Sequence, residues 1–165
     1  MDLSQLTNIA IKAALSAGKV IQQFMNEAVL VEHKKGGASY ASQVVTAVDR
    51  ECESVILSHL LPSCEEFDVA CLSEETEDDG SRFDKEYFWC IDPIDGTLAF
   101  INKQPGFSVS IALVAQDGTP FIGIVFDPST GTLYHAIKGK GAFKNENPWE
   151  IKRTNSSLTY ATDKK

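Results

Sequence analysis

Two aspartates, Asp92 and Asp95, sit three residues apart across a proline in the run Trp89-Cys-Ile-Asp-Pro-Ile-Asp-Gly-Thr97. Pro93 fixes φ and removes a backbone donor at that point. Both carboxylates can then turn to one side, with the carbonyl of Ile94 between them. Carboxylate, carbonyl and carboxylate form a hard oxygen set, suited to Mg²⁺ rather than zinc. Gly96 permits a close backbone approach. Thr97 adds a hydroxyl and can open a short helix whose first N–H groups would face an anion. Two metals held beside a phosphate make a site for metal-assisted phosphoryl transfer to water. Asp-Pro and Asp-Gly are also ordinary turn dipeptides, so a solvated turn is the competing reading of the same residues.

Other groups could join them. Glu74 directly follows an apolar run and is placed to reach a metal at Asp92, whereas Glu75, Glu77, Asp78 and Asp79 read as a solvated loop. In Thr46-Ala-Val-Asp49 the local reading is a helix cap, with Asp49 in the positive first turn. The functional alternative is that Asp49 orients or deprotonates a water through Thr97. Lys34 and Lys35 read as wet loop charges beside Gly36-Gly37. His33, His59 and His135 have no ligand spacing, and His59 suits a helix C-terminus.

The elements that must hold these groups are legible in the hydrophobic period. Leu3, Leu6, Ala10, Ala13, Ala17, Ile21 and Phe24 fall on one helical stripe. A second helix is predicted over 47–61, ended by Pro62. A first strand is predicted over 67–72. Tyr87-Phe-Trp-Cys-Ile91 reads as a buried strand leading into the acidic turn. Alternation over 107–114, a turn at Gln116-Asp-Gly118 and apolar runs at 120–126 and 132–136 predict consecutive hairpins. The fold class is therefore α+β, with two helices packed on an antiparallel meander.

A chain of 165 residues, 43% hydrophobic and 23% charged, fits one domain with a real core. Its net charge of −8 argues against binding a nucleic-acid polymer through a basic surface. No apolar run is long enough to span a bilayer, and the N-terminus lacks a secretory pattern, so a cytoplasmic protein is the expectation. Cys52, Cys64, Cys71 and Cys90 form no C-x-x-C pair, and buried free thiols are expected rather than zinc ligands or disulfides.

Val45-Thr-Ala-Val-Asp49, Ser73-Glu-Glu75, the run from Trp89 to Thr97 and Gly139-Lys-Gly-Ala-Phe-Lys-Asn145 occur in that order. Together they closely resemble the Mg²⁺-dependent, lithium-sensitive phosphatases of the inositol monophosphatase superfamily, CysQ-type 3′(2′),5′-bisphosphate nucleotidases included. The resemblance implies that Glu74, Asp92 and the Ile94 carbonyl hold a first metal, and Asp92 and Asp95 a second. Glu74 would also hold a third metal with the attacking water. Thr97, backed by Asp49, would activate that water, and Asp95 and the backbone N–H groups of Gly96 and Thr97 would lie at the phosphate. Mg²⁺ is the implied cofactor, Mn²⁺ a substitute and Li⁺ an inhibitor. The implied substrate is a small phosphate monoester, inositol monophosphate first and adenosine 3′,5′-bisphosphate next.

The family also carries a second, α/β domain with a Trp-Asp-x-Ala-type motif that this sequence lacks. Residues 1–157 are therefore expected to be the N-terminal metal-binding domain and 158–165 the start of the second. A truncated, non-catalytic metal-binding homologue is the alternative, and self-association through apolar surface left uncovered is a further expectation.

Overall fold

A computed structural model describes the backbone of residues 1–31 and 38–150, and the side chains of 1–26 and 47–150. Helix α1 covers Leu3–Val31 and helix α2 covers Ala38–Phe67. A seven-stranded sheet follows in chain order: β1 (Ala70–Ser73), β2 (Tyr87–Asp95), β3 (Ser108–Ala115), β4 (Pro120–Asp127), β5 (Thr132–Ile137), β6 (Gly141–Lys144) and β7 (Asn147–Pro148). A short helix, α3 (Thr97–Ile101), follows β2. The architecture is α+β, as the period predicts.

Both long helices lie on one sheet face. The predicted α1 stripe is buried at Leu6, Ala10, Ala13, Ala17 and Ile21. The matching sheet face is buried at Trp89, Ile91, Val109, Ile111, Leu113, Ile122, Ile124 and Phe126. Small residues let α1 approach closely. A β-carbon at Gly18 would sit 2.1 Å from the Phe126 ring, so the contact there is open only to glycine.

Several expectations are corrected. Pro62 does not end α2, which runs on to Phe67. Proline removes one helix hydrogen bond, yet Pro62 and Ser58 are exposed, so water can take up the freed Ser58 carbonyl. Beyond Pro62 the helix is held by tertiary contacts. Ser63 is buried and accepts the Trp89 indole N–H at 3.2 Å, while its own hydroxyl donates to the Leu60 carbonyl at 2.6 Å. The helix stops at Asp68, whose φ of 56° lets the Val69 N–H donate to the Cys64 carbonyl at 3.1 Å. Phe67 is consequently the last helical residue, and the first strand begins at Ala70.

At its other end α2 starts at Ala38, so Thr46 and Asp49 lie inside the helix and the capping reading fails. His59 is likewise interior; its Nε2 meets the Ser16 hydroxyl at 3.1 Å, a contact between the two helices. The sheet is not wholly antiparallel either. β1 pairs parallel to β2, and β2 to β7 form the antiparallel meander. His33, Lys34, Lys35 and the predicted final strand at 158–162 lie outside the described residues.

Candidate active site

The acidic turn is built by a bulge. Asp92 pairs with Ser110 and Asp95 with Ser108 on β3. Three steps along β2 therefore match two along β3, and one residue of β2 is extra. In a regular strand, positions three apart point to opposite faces. The extra residue restores parity, so Asp92 and Asp95 can serve the same side. Pro93 lies in this irregular stretch, where its missing N–H removes no ladder bond.

Glu74 reaches the same place from β1. The parallel register sets Ser73 beside Ile91, and the Glu74 N–H donates to the Ile91 carbonyl at 3.2 Å. Glu74 thus leaves its strand alongside Asp92. The strand ends at Gly96, whose φ of 85° is left-handed. There α3 begins, and the Thr97 hydroxyl donates back to the Ile94 carbonyl at 3.1 Å.

Electrostatics mark the cluster as strained when empty of cations. The Asp92 carboxyl is pushed up to about 7, first by burial, then by the charge of Glu74 and a hydrogen bond with it, then by Asp95. Its Oδ1 is buried with no hydrogen-bond partner. Asp49 is 7% exposed and is pushed up to about 6, by burial and then by Glu75 and Glu74. Among the described residues, no three carboxylate, thiol or imidazole groups already converge as a set that could hold a metal.

Glu74 is thus within electrostatic reach of both Asp49 and Asp92, Asp92 is within reach of Asp95, and Gly96 and Thr97 follow Asp95 in the chain. A cleft of about 380 Å³ opens on one side, lined by Asp95, Gly96, Leu98, Ala99, Asn102, Gln104 and Gly106. Asp49, Glu74, Asp92 and Thr97 do not line it. Two residues escape the sequence reading. Glu75, assigned to solvent, is half-buried and acts on Asp49 more strongly than Glu74 does. Glu53 is buried with an unpartnered Oε1. Its helical spacing from Asp49, i to i+4, was the available signal.

A sheet-and-helix layer that ends a buried strand in an acidic bulge and a glycine-started helix defines a carboxylate-rich, hard-oxygen site. Residues 2–164 match the inositol monophosphatase family. The chain belongs to that family. It is 33% identical over 157 residues to inositol monophosphatase 3 of Solanum lycopersicum, covering 91% of this chain and 54% of that protein. Among solved structures it resembles staphylococcal SaIMPase-II with inositol monophosphate bound, at 33% identity and a TM-score of 0.68 over 93% of this chain and 51% of the other. It also resembles CysQ from Bacteroides thetaiotaomicron, at 30% identity and a TM-score of 0.70 over 95% and 54%. The chain spans about half the length of the curated relatives it matches.

Proposed function

We propose that this chain carries the metal- and phosphate-binding half of a Mg²⁺-dependent phosphatase acting on a small phosphate monoester. The observation that carries the reading is the buried, unpartnered Oδ1 of Asp92 beside Glu74 and Asp95. A half-buried carboxylate whose pKa is raised by burial and by acidic neighbours favours either a proton or a cation. All the donors are hard oxygens, which fits Mg²⁺ or Mn²⁺. Glu74, Asp92, the Ile94 carbonyl and Asp95 would hold the ions. A bound divalent cation supplies neutralisation of the phosphate dianion and acidification of a water.

The chain's own groups complete the chemistry. The Thr97 hydroxyl donates to the Ile94 carbonyl, so its oxygen lone pairs are free to accept a hydrogen bond from water and orient it. Asp49, pushed up to about 6, is suited to act as a base near neutral pH and to take up the proton the water loses. Gly96 brings the backbone close to the phosphate, and Asp95 lines the adjoining cleft. Positioning and charge supply most of the rate, because phosphoryl transfer needs little covalent help.

Inositol monophosphate is the first candidate substrate, supported by the likeness to SaIMPase-II with that ligand bound. Adenosine 3′,5′-bisphosphate is the second, supported by the likeness to CysQ. The same carboxylates also fit one alternative: a metal-binding protein without turnover. Phosphate release from both substrates with Mg²⁺, with and without lithium, tests the proposal. Mg²⁺-dependent release that lithium suppresses supports the phosphatase reading. Mg²⁺ binding without release supports the alternative.

A further inference from the structure

The four cysteines are free, but not equivalent. Cys52 is buried in α2 and its thiol donates to the Ala17 carbonyl at 3.7 Å. Cys90 is exposed on β2. Cys64 and Cys71 face each other, sulfur to sulfur, at 3.6 Å, and both are half-buried. The thiols are free as expected, but full burial holds for Cys52 alone, and one pair is set apart from the rest.

Neither member of the pair is loosely placed. Cys64 sits in the last turn of α2, where its carbonyl is tied to the Val69 N–H across the left-handed Asp68. Cys71 lies in β1, paired with Trp89 of β2. Trp89 in turn donates to Ser63, the neighbour of Cys64. The two sulfurs are therefore held by a closed ring of backbone and side-chain contacts. A disulfide needs them about 1.5 Å closer. Contact with Cys71 holds the Cys64 thiol below its ordinary range, while the same contact pushes Cys71 above it. Reactivity toward oxidants follows thiolate character and exposure, and either sulfur of the facing pair can be the attacking one.

We propose that Cys64 and Cys71 are an oxidation site that closes to an intramolecular disulfide with a hydroperoxide as oxidant. One thiolate of the pair attacks one peroxide oxygen, the O–O bond breaks, and that cysteine becomes a sulfenic acid as the leaving hydroxide takes up a proton. The facing sulfur then attacks the sulfenic sulfur and expels the sulfenic oxygen as water. Two thiols and one hydrogen peroxide give one disulfide and two waters, so the pair loses two electrons and two protons. The bond joins α2, which carries Asp49, to β1, which runs into Glu74. It stands independently of the phosphatase reading.

The test uses the full 165-residue chain. The protein is treated with hydrogen peroxide, its remaining thiols are alkylated, and it is cleaved after glutamate. Glu65 and Glu66 lie between the two cysteines, so a closed disulfide leaves two fragments joined, and a reductant separates them. The expected result is that joined pair, with Cys52 and Cys90 still alkylated and two of the four thiols lost. A Cys90→Ser variant should behave identically. The proposal is overturned if Cys64 and Cys71 remain alkylated, if they reach sulfinic or sulfonic acid unlinked, or if the only link formed joins Cys90 of two chains.

Discussion

Gly96 faces the carbonyl oxygen of Gly106 so closely that a β-carbon on Gly96 would lie 2.3 Å from it. The same residue holds a φ of 85°. Both facts demand glycine, and they concern the point where β2 turns into α3. Gly96→Ala meets backbone strain and a backbone clash together. It should lower stability by about 2 kcal/mol or more, read as a fall in denaturation midpoint. A variant as stable as the parent would contradict the described turn.

Asp92 and Asp49 give stability a definite pH dependence when no cation is present. Each has a folded-state pKa above its usual 3.8, near 7 and 6 respectively. Between these limits the folded chain binds more protons than the unfolded one, so stability falls as pH rises. The penalty is complete once pH exceeds the folded-state values. In EDTA the melting temperature should drop from about pH 5.5 to about pH 8, and Mg²⁺ should reverse the drop. Asp92→Asn should raise the melting temperature in EDTA at the higher pH and flatten the profile. A parent whose stability rises over that interval would refute the assignment.

Thr97 is predicted to matter for rate more than for folding. Its hydroxyl has one internal contact, to the Ile94 carbonyl. Thr97→Ala should cut Mg²⁺-dependent phosphate release by about 10²–10⁴-fold, and Thr97→Ser should retain most of it. Equal release by Thr97→Ala and the parent would remove Thr97 from the chemistry.

Pro62 is a cost that tertiary packing overrides. It is exposed, and restoring an N–H there should return a helix hydrogen bond without a clash. Pro62→Ala is expected to stabilise the chain by about 1–3 kcal/mol in chemical denaturation. Destabilisation would mean that α2 does not pass straight through this point.

The same residue shows where sequence reading runs out. Local rules stop a helix at Pro62, and only the burial of Ser63 and its bond to Trp89, distant in sequence, explain why α2 continues. The direction of β1 is equally non-local, since parallel pairing with β2 needs the whole crossover through residues 74–86. Hairpins β3 to β5 were legible because alternation and turn residues are local signals. The Asp92–Thr97 element was legible as chemistry, but its bulge needed the pairing partners Ser110 and Ser108. Glu75 was misassigned because neighbouring acidic residues look alike until one of them is half-buried near Asp49.

Titration of the metal-free chain with Mn²⁺, followed by the loss of free-ion signal in electron paramagnetic resonance, tests the central claim most directly. The account predicts saturable binding by the parent that Mg²⁺ competes away, and at least about tenfold weaker binding by Asp95→Asn and Asp92→Asn. Binding of equal strength in the parent and both variants would contradict it.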